Sequence, residues 1–126
     1  MRIFDWHCDT ILGNVMEHDQ SLERNDGQVD LERMRAAGAL AQVFALFGQK
    51  ETVVYRGKRY SPWEYVLLQH DVFCEQMKRF PNEIAPALCA DDVLKNEAEG
   101  KISALLSLEG GIPIDGKMER IDALYD

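Results

Sequence analysis

The segment Ala39–Phe47, ALAQVFALF, is the feature that most restricts the fold of this chain. It is a continuous apolar run interrupted by a single polar residue, Gln42. A run of this kind is typical of a strand that is covered on both faces, as in a parallel sheet, because a strand with one wet face alternates apolar and polar residues. The segment therefore predicts an interior strand of a parallel sheet.

Strand-like and helix-like segments alternate along the rest of the chain. The predicted strands are Arg2–Trp6, Ala39–Phe47, Ile84–Cys89 and Lys101–Leu108, with a small hairpin or an irregular excursion around Gly57. Helices are predicted after Asp30, at Pro62–Phe80 after Ser61, after Asp91 or Asp92, and at Met118–Tyr125. This alternation predicts an α/β fold with parallel strands and right-handed crossovers.

Length and charge narrow the function classes. The 126 residues are enough for one domain, and the net charge of -8 disfavours nucleic acid and anionic membrane surfaces as partners. The chain has no apolar stretch long enough for a membrane span and no room for a signal peptide before its first strand. Its three cysteines lack CxxC spacing and suit a reducing compartment, so a cytoplasmic location is predicted.

The opening motif FDWHCDTI places a histidine between two acids at alternate positions. Side chains at i and i+2 leave the same face of a strand, so Asp5, His7 and Asp9 are expected on one face and Phe4, Trp6 and Cys8 on the other. Imidazole nitrogen and carboxylate oxygen are the usual ligands of zinc and similar divalent metals. The motif alone is equally compatible with a metal site and with a strand end that carries scattered polar residues.

A third candidate ligand, Glu109, follows the last predicted strand and precedes Gly110 and Gly111. Functional sites in parallel α/β folds form at the C-terminal ends of strands, so Glu109 is expected at the same rim as His7 and Asp9. A carboxylate at that position could bridge two ions. The alternative interpretation of Glu109 is a solvated loop acid.

Other reactive residue types fit structural roles better. His18 lies in a polar segment and is expected to be exposed, whereas His70 falls on the apolar stripe of the Pro62–Phe80 helix and is expected to be a structural core residue. Cys8 is expected to pack rather than to act as a nucleophile. No Ser-His-Asp set and no glycine-rich phosphate loop is recognisable.

Three stretches together resemble the membrane dipeptidase (renal dipeptidase) family of zinc peptidases. They are FDWHCDTI, VDLERMRAAGALAQVFALF and EGKISALLSLEGG. The resemblance implies a (β/α)8 TIM barrel of the metal-dependent hydrolase type with a two-metal site, usually zinc. It implies that His7 and Asp9 ligate one ion, that Glu109 bridges both, and that Asp5 orients His7. It also implies dipeptide substrates, whose carbonyl a metal-bridging hydroxide attacks.

The length sets a limit on this resemblance. A complete barrel takes roughly 250 residues, so residues 1–126 are expected to be a single partial domain, the N-terminal portion of a dipeptidase, with the remaining ligands beyond Asp126. The intact enzyme is expected to hold two zinc ions, and this chain one weakly or none. Self-association, or pairing with the rest of the barrel, is expected to cover its open edge.

Two alternatives to the dipeptidase stay open. One is a non-catalytic α/β module that self-associates, and the other is a different metal-dependent amidohydrolase. The glutamate followed by two glycines favours the dipeptidase over the second alternative.

Overall fold

The structure is a computed structural model that describes residues 2–125. The strands are β1 (Ile3–Cys8), β2 (Ala39–Phe47), β3 (Val53–Tyr55), β4 (Lys58–Tyr60), β5 (Ile84–Pro86) and β6 (Ile102–Glu109). The α-helices are α1 (Leu31–Ala37), α2 (Pro62–Arg79), α3 (Ala90–Ala98) and α4 (Met118–Tyr125). A π-helical turn spans Ile11–Met16 and a 3-10 turn spans Ile112–Ile114. None of the helices within residues 2–125 has the length and apolar character needed to span a membrane.

Four strands form one parallel sheet in the order β1-β2-β6-β5, and β3 pairs with β4 as a separate antiparallel hairpin. β2 lies inside the sheet, and its residues Ala41–Leu46 are all buried. The prediction of an interior parallel strand is therefore confirmed. β6 pairs with β2 from Ala41↔Ser103 to Phe47↔Glu109, so the two strands end together.

The edge strand β5 is shorter than predicted, and α3 begins earlier. Pairing of β5 with β6 ends at Pro86↔Ala104. The next two free amides, those of Leu88 and Cys89, donate to the Asp92 carboxylate at 2.9 and 3.2 Å instead of extending the sheet. Asp92 thus acts as the third residue of α3 rather than as its N-cap, which is Cys89.

Helix α2 is the longest helix in the described residues and packs against the sheet. A capping box fixes its start, because Ser61 and Glu64 each accept a hydrogen bond from the other's backbone N–H. Gln69 is fully buried, and its side-chain amide bonds both the N–H and the carbonyl of Phe47 at 2.8 and 3.0 Å. The helix therefore docks onto the end of β2 through a polar clamp as well as through apolar packing.

The prediction that His70 lies in the core is wrong. The buried face of α2 includes Val66, Gln69, Phe73 and Gln76, and the His70 side chain at its margin is 49% exposed. The apolar residues alone do not locate the buried face of α2 correctly, because this face also includes two glutamines, Gln69 and Gln76. His18 is exposed as predicted.

Candidate metal centre

His7 is oriented by an irregularity in β1. Asp5 pairs with Gln42 and Cys8 with Phe44, so β1 uses one residue more than β2 between these two points. Such a bulge changes the direction of side chains and is frequent next to functional sites. As a result Trp6 and His7 are both exposed while Cys8 is buried, which corrects the simple alternation predicted from the sequence.

Glu109 reaches the same rim because β6 ends opposite the last residue of β2. The Gly48 N–H donates to the Glu109 carbonyl at 2.7 Å and holds the two strand ends together. Gly110 then turns the chain away with φ of +85°, a conformation that favours glycine. At Gly48 a Cβ would lie 2.6 Å from Pro113 Cδ, so this position also requires glycine.

The three side chains converge on one point. His7 Nε2 lies 3.4 Å from Asp9 Oδ1 and 3.3 Å from Glu109 Oε2. A tetrahedral zinc ion bound by a histidine nitrogen and a carboxylate oxygen, each about 2.1 Å away, would hold those two atoms about 3.4 Å apart. The one ligand atom that each residue offers lies within 4.8 Å of the other two. The spacing therefore fits a shared divalent ion, and the role of these residues as ligands remains a prediction.

The cluster is open to solvent. The side chains of His7, Asp9 and Glu109 are 49%, 62% and 45% exposed, so an ion bound there would have room for further ligands. Asp5 contacts His7 through its backbone, since the His7 N–H donates to Asp5 Oδ1 at 3.3 Å. This contact lies at the bulge in β1, and the role of Asp5 in orienting His7 remains a prediction.

Cys8 does not belong to the cluster, although it lies between His7 and Asp9 in the sequence. The thiol faces the core, and burial, opposed by hydrogen bonds from Thr10, raises the pKa of Cys8 to about 11. A thiol with such a pKa stays protonated near neutral pH and is a poor metal ligand. The core location agrees with the packing role expected from the sequence.

The family assignment rests on a comparison along the whole chain. The model of the membrane dipeptidase family, peptidase family M19, matches residues 1–126. The chain belongs to this family. No curated protein gives a significant match.

Two solved structures are similar to this membrane dipeptidase family member in fold. One is dipeptidase AC, described as a metallopeptidase of family M19, with a TM-score of 0.75 and 17% identity over 99% of this chain and 40% of that chain. The other is the probable dipeptidase PvdM from Pseudomonas aeruginosa, with a TM-score of 0.71 and 17% identity over 98% of this chain and 31% of that chain. The predicted fold class is confirmed: the parallel α/β fold matches part of these TIM barrels.

A cleft beside the cluster was not predicted from the sequence. Its volume is about 300 Å³, and its lining residues are Asp9, Leu12, Gly13, Glu17, Phe47 and Glu109. The π-helical turn that begins two residues after Asp9 supplies Leu12 and Gly13. The sequence segment TILGNVMEHD is compatible with a short helix or a loop, so it leaves both the π-helical turn and the position of Glu17 open.

A larger cavity of about 440 Å³ lies at the opposite end of the sheet. Three cationic residues line it, Arg2, Arg35 and Lys101, and each of them pairs with a glutamate. The cationic charges of this cavity are thus neutralised by glutamates. The candidate metal ligands Asp9 and Glu109 line the smaller cleft instead.

Proposed function

We propose that this chain is part of a metal-dependent dipeptidase and carries His7, Asp9 and Glu109 as ligands of its catalytic metal centre. The observation that carries the proposal is the convergence of one imidazole nitrogen and two carboxylate oxygens at a rim of the sheet, with spacings of 3.3 and 3.4 Å. The match of the whole chain to the dipeptidase family supports it. The chain spans 40% and 31% of the two similar structures, so the activity is proposed for a longer protein.

Zinc is the proposed metal, because imidazole with carboxylates is a usual zinc ligand set. When bound, zinc supplies a Lewis acid that polarises a carbonyl and lowers the pKa of water. His7 would contribute a neutral nitrogen donor, and the charges of Asp9 and Glu109 would offset those of a dication. Glu109 has a second carboxylate oxygen, and this atom is proposed to reach a second ion.

A dipeptide is the proposed substrate, and the cleft supplies groups that suit one. Phe47 and Leu12 provide apolar surface beside the metal ligands, and the Glu17 carboxylate lines the same cleft. A dipeptide carries a free ammonium group close to its scissile bond. Glu17 is therefore proposed to attract that ammonium group, an interaction that a longer peptide could not make at an internal bond.

The chain alone is expected to be inactive. A catalytic zinc site needs at least three protein ligands, and Glu109 would be shared between two ions. The experiment is a dipeptide hydrolysis assay, with and without added zinc, on residues 1–126 and on a longer protein that contains them. Zinc-dependent turnover by the longer protein and none by the chain is the expected result. A longer protein that shows no zinc-dependent turnover would contradict the proposal.

A self-associating module is the second candidate function, and one observation favours it. Helix α4 exposes apolar side chains at helical spacing, namely Met118, Ile121, Leu124 and Tyr125. Sedimentation at several protein concentrations would detect association, and Ile121→Lys should weaken it if α4 forms the contact. Association of the chain, together with no metal bound at the rim of the longer protein, would favour this candidate over the dipeptidase.

A further inference from the structure

Helix α2 brings a histidine and a cysteine together far along the chain from the rim cluster. His70 and Cys74 are four residues apart, so they project from the same side of the helix. Cys74 Sγ lies 3.6 Å from His70 Nε2, and Asp71 Oδ1 lies 3.9 Å from His70 Nδ1. One ring nitrogen therefore faces a carboxylate and the other faces a thiol.

This arrangement favours one tautomer of His70. The Asp71 carboxylate, 3.9 Å from Nδ1, is too far away for a direct hydrogen bond, but its charge would favour a proton on that nitrogen and leave the Nε2 lone pair free to bind a metal. Metal-binding histidines generally donate the second ring N–H to a carboxylate, a backbone carbonyl or water, and the Asp71 carboxylate is the acid nearest to that position. The side chains are thus arranged as a donor pair with a supporting acid.

The spacing of the pair matches a bound ion. A tetrahedral zinc with sulfur at about 2.3 Å and nitrogen at about 2.1 Å separates the two ligand atoms by about 3.6 Å, and the structure has 3.6 Å between Sγ and Nε2. We propose that His70 and Cys74 form a second divalent-cation site on α2, for a thiophilic ion of the zinc class. The proposal is independent of the dipeptidase function.

The surroundings favour such an ion and hold the pair in place. Thiolate and imidazole select zinc and cobalt rather than magnesium or calcium. His70 is exposed and leaves the remaining coordination positions to water, while Cys74 is partly buried against the core, which restricts its movement. The capping box at Ser61 and Glu64 stabilises the helix that sets the spacing.

Cobalt(II) is the probe that tests this site, because a thiolate ligand gives a sulfur-to-cobalt charge-transfer absorption that imidazole and carboxylate ligands do not give. Titration of the chain with cobalt should produce this absorption, and added zinc should remove it. Cys74→Ser should abolish it. Cys89→Ser removes the exposed cysteine and should leave the absorption unchanged, as should Glu109→Gln at the rim.

Two further variants test the geometry without touching the sulfur. His70→Ala should weaken cobalt binding at this site at least tenfold, and Asp71→Asn should weaken it about tenfold by removing the supporting acid. Circular dichroism would check that each variant is folded. Absence of the thiolate absorption in the unsubstituted chain, its persistence in Cys74→Ser, or unchanged affinity in His70→Ala would overturn the proposal and leave the 3.6 Å contact as a hydrogen bond only.

Discussion

The two ends of the parallel sheet carry charged residues in opposite arrangements. At the C-terminal end, Asp9 and Glu109 both turn toward the single imidazole of His7. Within residues 2–125, neither of these acids forms an ion pair with a lysine or an arginine. The acids at this end therefore lack cationic partners of their own.

At the N-terminal end, each acid has its own base. Arg2 pairs with Glu97, Arg35 Nη1 lies 2.6 Å from Glu83 Oε2, and Lys101 Nζ lies 2.8 Å from Glu99 Oε2. Paired charges of this kind join neighbouring elements and leave little net field for a ligand. The presence of charge therefore does not mark a functional rim, whereas acids without cationic partners around a metal-type donor do.

The largest effect is expected from Glu109→Gln in the longer protein. Loss of the carboxylate charge should lower dipeptide hydrolysis at least a hundredfold, and chelation should abolish activity until zinc is restored. The matched control is Glu99→Gln, the same substitution at the opposite rim, which should leave the rate unchanged. A steady-state assay of both variants decides, and equal losses in both would remove the distinction between the two rims.

Cys8 should make the protein less stable at alkaline pH. The folded thiol keeps its proton up to about pH 11, whereas its ordinary pKa is 9.0. Between these values the unfolded state loses the proton first, so the free energy of unfolding should fall by about 2 to 3 kcal/mol as pH rises. Urea unfolding at several pH values measures this. Cys8→Ala should have a shallower decline, and an identical decline would contradict the raised pKa.

Arg35→Met should destabilise the N-terminal rim. Glu83 Oε2 is a buried atom with no hydrogen bond among the described residues, and Arg35 is its ion-pair partner. Leaving that oxygen unpaired should lower the free energy of unfolding by about 1 to 2 kcal/mol. Zinc affinity at the other rim, measured by calorimetry, should not change. A double substitution with Glu83→Gln should recover part of the loss.

Gly110→Ala should have the smallest effect on stability, but it should also disturb the position of the proposed metal ligand Glu109. The residue has φ of +85°, and an alanine there costs about 1 kcal/mol. Gly57→Ala in the β3–β4 hairpin, with φ of +78°, is the control of similar backbone strain. Both should lose similar stability, but only Gly110→Ala should weaken zinc binding, because it alone follows Glu109. Equal zinc affinity in the two variants would argue against this role for Gly110.

Much of the fold could be predicted from local patterns. The interior strand β2 and the cap at Ser61 each have a local physical cause, and the structure confirms both. Around Gly57 the sequence leaves a hairpin and an irregular excursion open, and the structure has the hairpin. The early end of β5 could not be predicted. It depends on the hydrogen bond from the Leu88 N–H to the Asp92 carboxylate, which forms only when α3 packs in this position.

The candidate site was predicted in part. His7, Asp9 and Glu109 were placed at one rim by strand topology alone, and the structure brings them together. The bulge in β1 was not predicted, since it depends on pairing with β2. The cleft lined by Glu17 was also missed, because a π-helical turn has no distinct sequence signal.

The pairing of β6 with β2 also sets the order in which the rim can assemble. His7 and Asp9 lie close together in the chain. Glu109 joins them only after β6 has paired with β2, from which it is separated by a long stretch of sequence. Such a non-local step is slow, because the chain between β2 and β6 loses conformational entropy before the contacts between the strands can stabilise it. An ion bound by all three residues would therefore act after the folding barrier, so it should slow unfolding more than it speeds folding.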